Sequence, residues 1–267
     1  MYNLLALSST RKKPWLASLD LAQERSPRVF SSNNPVRIPV YGSEIAITGR
    51  GVGLWSTGYR GTMLAAGAEP VFLKPSTGRD SWDEILEDFP GVVACGHANS
   101  TPGKLGDIES LCLWCREHRF PLLVIDQGLL AMNAAFGGIN YTDLSRELPE
   151  ALQHRHPPEP GLRHAINVLP NTLMSRIFGE GEIVVNSEHR AAIQRVARGF
   201  VATCVALDGV IEAVEYTGND WFAIGVQWQP ASPSASGLDI QVFRALIDAA
   251  VLPAGTSRPV AKMALAG

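Results

Sequence analysis

The sequence predicts a three-layer α/β domain around a mainly parallel sheet, and three observations carry that reading. Apolar runs of strand length alternate with segments of helical period between residues 36 and 136, an order that places helices on both faces of a parallel sheet. One apolar run turns into a helix without an intervening loop, at Ile125-Asp126-Gln127-Gly128. The 267 residues are 46% hydrophobic and 18% charged, which suits a globular chain able to enclose one large core.

Taken in order, residues 4–7 read as a short strand inside an N-terminal extension, 1–34, whose structure is unassigned. The principal domain covers 35–250. Residues 36–41 form its first strand; the glycine-rich stretch 42–53 has neither a phosphate-loop lysine nor a Gly-x-Gly-x-x-Gly series. A helix over 54–66 ends at Gly67, and 70–73 resumes a strand. Ser81 and Glu84 have capping-box spacing. Strands at 91–95 and 121–125 alternate with helices at 107–118 and 127–136. Farther on, Asp208-Gly209 joins runs 201–207 and 210–216 as a hairpin. A last apolar run, 221–228, exits at Gln229-Pro230-Ala231. Ile240, Phe243 and Ile247 mark one face of a final helix over 238–249, and 251–267 reads as a loose tail.

The formal charge of −3 supplies no global pull toward nucleic acid, and the aromatic residues do not alternate with basic ones as in a single-strand groove. No apolar run reaches transmembrane length. Arg11, Lys12 and Lys13 follow the first apolar run rather than precede it, the reverse of a secretory signal, so the cytoplasm is the expected compartment. Four cysteines are too few for a disulfide-stapled fold. Cys112 and Cys115 share a predicted helical face with Ile108 and Leu111, which favours buried thiols over a redox or zinc pair. His154 and His156 are spaced for ligands on a strand, but Pro157-Pro158 favours a solvated or oligomer-contacting loop. No metal, cofactor, nucleic acid or membrane is expected, and the oligomeric state is not encoded legibly.

The chemistry should lie at the strand-to-helix turn. It aims Asp126 into a cleft and leaves the next backbone amides at a positive helix terminus, the outline of a nucleophile elbow. Together with Gly67-Ala68-Glu69-Pro70-Val71, His164 with Ile166-Asn167-Val168, Val185-Asn186-Ser187-Glu188-His189, Gly225-Val226-Gln227-Trp228-Gln229-Pro230 and Val242-Phe243-Arg244-Ala245-Leu246, the elbow resembles the class I glutamine amidotransferases. The resemblance is to the gamma-glutamyl-gamma-aminobutyrate hydrolase group, among peptidase-like gamma-glutamyl hydrolases, and it spans roughly residues 35–250. It implies a flavodoxin-like α/β/α sandwich of the class I glutamine amidotransferase type.

In the resembled enzymes the elbow reads Gly-Ile-Cys-Arg-Gly and the late strand ends in His-Pro-Glu, with cysteine as nucleophile, histidine as base and glutamate as its orienter. Asp126, Gln229 and Ala231 stand at those positions here, so the resemblance implies a degenerate triad. Candidate pocket residues are Gly96, His97, Gln127, Glu188 and His189. Three readings of Asp126 stay open: its carboxylate fills the oxyanion site, it borders an altered ligand pocket, or it is structural. The implied function is a catalytically degenerate pseudoenzyme that binds a small amino-acid-like or gamma-glutamyl ligand or serves a protein partner. The alternative is C–N hydrolysis by Asp126 with His189 or His97, which requires hydrogen-bond contact between the pair.

Overall fold

The computed structural model describes residues 35–42, 58–73, 81–96, 102–155 and 162–251. The predicted strand at 4–7, the glycine-rich stretch, His97, His156 and the tail beyond Val251 lie outside the described residues. The elements, in chain order, are β1 (Val36–Gly42), α1 (Tyr59–Ala66), β2 (Ala68–Phe72), α2 (Trp82–Leu86), β3 (Val92–Cys95), α3 (Pro102–Glu117), β4 (Leu122–Ile125) and α4 (Gln127–Ala135). There follow β5 (Ile139–Tyr141), α5 (Leu144–Glu147), β6 (Arg163–Val168), α6 (Leu173–Phe178), β7 (Gly181–Asn186), β8 (Ala192–Arg195), β9 (Phe200–Ala206), β10 (Ile211–Tyr216), β11 (Ala223–Val226) and α7 (Ile240–Val251).

One sheet runs in the order β2-β1-β3-β4-β11-β10-β9-β6-β7, with β8 against β10 and β5 against β8. The run from β2 to β11 is parallel, whereas the pairings beyond β11 are antiparallel. The sheet is therefore mixed, and the parallel arrangement read from the sequence holds for the half that carries the elbow. The β9–β10 and β10–β11 connections are short and contain no helix, so these neighbours run antiparallel. The β9–β10 turn is the predicted Asp-Gly turn, with Gly209 at φ 87°.

Two hydrophobic layers form because strand side chains alternate. Val93, Cys95, Leu123, Ile125, Ile224 and Val226 face one layer with Tyr59 and Met63 of α1 and Val242, Phe243 and Leu246 of α7. Val92, Ala94, Leu122, Val124 and Ala223 face the other, with Ile108 and Leu111 of α3 and Leu129 and Met132 of α4. Helix ends follow local chemistry. Gly67 closes α1 at φ 100°, and Ser81 with Glu84 forms the expected capping box on α2. A second capping box, Thr172 with Ser175 on α6, carries serine where glutamate or glutamine marks the usual pattern and is less legible for that reason.

All four cysteines are buried. Cys112 and Cys115 pack with Ile108 and Leu111. Burial pushes the Cys95 and Cys204 thiols up to about 12 and raises Cys112 further, so these groups are protonated and inert at neutral pH. We expect a thiol reagent to label none of the four rapidly in native protein and all four after denaturation. Fast native labelling of Cys112 and Cys115 would contradict this packing.

Candidate functional site

The elbow forms because β4 is hemmed in on both sides while α4 must leave immediately. Ile125 pairs with Cys95 on β3 and Val226 on β11, and the Asp126 N–H donates to the Val226 carbonyl at 2.9 Å. The chain then reverses through Asp126 at φ 53°, ψ −117°, a region sparsely populated by residues other than glycine. Close packing of α4 on the sheet holds it there. A Cβ on Gly128 would lie 2.6 Å from the Ala94 carbonyl oxygen, and one on Gly225 would lie 2.5 Å from Leu129 Cδ1.

Asp126 is 2% exposed, and its carboxyl makes no hydrogen bond to the first amides of its own helix. It faces the late strand instead: Gln227 Nε2 donates to Oδ1 at 3.1 Å and Gln229 Nε2 to Oδ2 at 3.0 Å. Gln229, at the late-strand exit, thus clamps the elbow side chain together with Gln227. Asn186, fully buried at the end of β7, fixes this clamp. Its Oδ1 accepts from the Gln229 N–H and its Nδ2 donates to the Gln229 carbonyl, both at 2.9 Å. Tyr59 Oη lies 3.5 Å from Gln229 Oε1 and is hydrogen-bonded to the Cys95 thiol. Burial pushes Asp126 up to about 8, against the Gln229 hydrogen bond that lowers it and with help from the charges of Glu188 and Glu212.

Gly96, a candidate pocket residue, continues the sheet. Its N–H donates to the Ile125 carbonyl at 3.2 Å, extending the β3–β4 ladder, and a Cβ there would meet Gln127 Cβ at 2.4 Å. Ala231 is 1% exposed; its carbonyl oxygen lies where a Cβ on Gly58 would stand, at 1.7 Å. Beside it is a groove of ≈450 Å³ lined by small residues, among them Gly58, Gly61, Thr62, Ala231 and Ser232. Glu188 pairs with Arg155 at 3.1 Å.

His189 does not serve Asp126. Its Nδ1 lies 3.1 Å from the Ala191 carbonyl and its Nε2 lies 3.2 Å from Glu212 Oε1, so both ring nitrogens are engaged elsewhere. His154 is 3% exposed rather than on a solvated loop, because Asp208 in the β9–β10 turn draws its segment inward. That carboxylate accepts from the Leu152 N–H at 2.7 Å and sits 2.8 Å from His154 Nε2. Folding thereby gathers His154, His164, His189 and Glu212, with one ligating atom from each within 4.8 Å of the others. Burial alone would lift Glu212, but the surrounding histidines outweigh it and hold its carboxyl well below the ordinary range. Sequence reading missed this cluster, as it missed Tyr59, Asn186 and Gln227 at the elbow. Asn186 and Gln227 lay inside recognised motifs, but nothing local marked their contacts.

The Peptidase C26 family pattern matches residues 107–231. "Putative glutamine amidotransferase Rv2859c" of Mycobacterium tuberculosis is 32% identical over 198 residues, covering 72% of this chain and 53% of that protein. The chain's matches span 35%, 53% and 46% of the lengths of three bacterial relatives. Two crystal structures share the fold. A "putative gmp synthase subunit a protein" of Thermoplasma acidophilum superposes with TM-score 0.60 at 16% identity, covering 81% of this chain and 94% of that one. A glutamine amidotransferase of Thermotoga maritima superposes with TM-score 0.54 at 12% identity, covering 80% and 84%. Among the described residues no helix is long and apolar enough to cross a membrane.

Two outcomes test the clamp. Asp126 has a folded pKa near 8 against an ordinary value of 3.8, so the native state holds the proton more tightly. Its contribution to stability is full below the unfolded pKa and is lost as pH rises toward 8. Urea denaturation should show wild type losing stability across that window, by ~6 kcal/mol at most, while Asp126→Asn shows a flatter profile; identical slopes would refute the assignment. Asn186→Ala leaves the Gln229 amide and carbonyl buried without partners and should cost about 1–3 kcal/mol in the same assay.

Proposed function

We propose, for a chain that is class I glutamine amidotransferase-like in fold and, over residues 107–231, in sequence, that its elbow no longer performs thiol hydrolysis. The protein instead acts as a binding or partner module whose ligand is small and amino-acid-like or gamma-glutamyl. The observation that carries this reading is the clamp: the elbow side chain is a buried carboxyl held on both oxygens by Gln227 and Gln229.

Hydrolysis of an amide by the family's route needs a thiolate, a base to take and return its proton, and a group to orient the base. Gln229 has no proton-transfer group useful near neutral pH, and Ala231 orients nothing. Cys95 is no substitute nucleophile, since its thiol is buried and its pKa is pushed up to about 12. Attack by Asp126 on an unactivated amide would give an anhydride and still require an acid for the amine leaving group. His189 does not provide that acid, both of its nitrogens being engaged away from Asp126. The groove beside Ala231 supports ligand binding without turnover, because it opens beside the late-strand exit between α1 and α7.

Glutamine, gamma-glutamyl amides and gamma-glutamyl peptides should release neither ammonia nor amine when incubated with the protein, while calorimetry on the same compounds reports binding. Asp126→Cys alone should recover little turnover, because the thiol would still lack base and orienter. D126C/Q229H/A231E should exceed it. Wild-type turnover that disappears in Asp126→Asn would overturn the proposal in favour of an aspartate-dependent hydrolase.

A further inference from the structure

We propose that His154, His164, His189 and Glu212 form a buried binding site for one divalent cation of zinc-like preference, separate from the elbow. The four residues come from distant places in the chain: the segment after α5, strand β6, the turn after β7, and strand β10. Their side chains are almost wholly buried, from 0% to 8% exposed.

The proton positions on the three imidazoles make the case. His154 Nε2 lies 2.8 Å from Asp208 Oδ2, and a carboxylate accepts, so that nitrogen carries the hydrogen. His164 Nδ1 lies 3.2 Å from the Ala165 carbonyl and His189 Nδ1 lies 3.1 Å from the Ala191 carbonyl, so those nitrogens are donors as well. In each neutral ring the other nitrogen then presents a lone pair. Those three nitrogens, His154 Nδ1, His164 Nε2 and His189 Nε2, converge on Glu212 Oε1 at 3.2, 3.4 and 3.2 Å. Ser187 Oγ, 3.5 Å from His154 Nδ1, spends its proton on the His154 carbonyl at 2.8 Å.

Three lone pairs aimed at a carboxylate oxygen in a dry interior repel one another unless positive charge sits among them; without a metal that charge is supplied by protons on the rings, and a divalent ion would displace them. Two further observations point to a cation. His164 Nε2 and Glu212 Oε2 are buried without a hydrogen-bond partner. The three nitrogen-to-oxygen separations match the edge of a tetrahedron whose metal bonds are ~2.0–2.1 Å long, about 3.3 Å, and the four donor atoms as a set lie within 4.8 Å of one another, so a bound ion would draw the nitrogens together. Charge closes as well: Asp208 and Glu212 bring two negative charges, and neutral histidines with one divalent ion bring two positive ones. Asp208 behind His154 is the outer carboxylate that metal-bound histidines commonly engage. Four protein ligands make a closed, structural site. It would brace the wall next to the elbow, since the Glu212 carbonyl accepts from the Gln227 N–H at 2.7 Å.

The test uses the full-length chain, stripped by chelator and then titrated with Zn²⁺ or Co²⁺. Elemental analysis after dialysis should find one zinc per chain, zinc should raise Tm, and Co²⁺ should produce the intense visible bands of tetrahedral coordination. His164→Gln and Glu212→Gln should retain only traces of metal, Asp208→Asn should bind about 10–100-fold more weakly, and His118→Gln, outside the cluster, should bind as wild type does. Should the ligand variants fail to fold, the wild-type Co²⁺ spectrum decides alone. Absence of saturable binding at micromolar metal, weak octahedral bands, or undiminished binding in folded His164→Gln and Glu212→Gln would overturn the site.

Discussion

The clamp that Gln227 and Gln229 place on the Asp126 carboxyl organises the centre of this molecule. A carboxyl at the end of a central strand, with its backbone at positive φ, is costly in both solvation and conformation. It persists because two carboxamides meet its two oxygens and because α4 lies too close to the sheet at Gly128 and Gly225 for the turn to relax. Asn186 then holds the Gln229 backbone, so β4, β7 and the exit of β11 are tied through a few buried polar contacts. Any one of them removed leaves its partners unsatisfied, which makes such a network sensitive to single changes.

The same contacts set what the turn at Asp126 presents to its surroundings. A nucleophile elbow works by presenting a reactive atom to a cleft beside free backbone amides. Here the side chain turns toward β11, the Gly96 amide is committed to the sheet, and the nearby thiol of Cys95 is sealed among Tyr59 and apolar neighbours. The geometry of the turn is maintained by this packing.

A second buried polar centre lies along β10. Glu212 faces three histidines, and its backbone carbonyl receives the N–H of Gln227. The strand between the two centres therefore carries electrostatic load on one side and the elbow clamp on the other. Their proximity also appears in the upward pull that Glu212 exerts on the Asp126 carboxyl.

Read alone, the sequence determined the alternation of strands and helices up to α4, the Asp-Gly hairpin, the caps at Gly67 and Ser81, the elbow at Asp126, and the late-strand exit at Gln229-Pro230-Ala231. All of these are written in short windows, where periodicity, turn chemistry and motif order act over a few residues. Strands β5 to β8 were not assigned from it: they are short and largely lie where partial exposure weakens the apolar pattern. Tertiary structure alone decided that the sheet is mixed, that Asp126 turns toward Gln227 and Gln229, that His189 serves Glu212, and that His154 is buried. The mixed sheet follows from backbone pairing between strands, and the other outcomes depend on contacts between side chains 23 to 103 positions apart; their directions are set by strand order and register, which no local stretch of sequence contains.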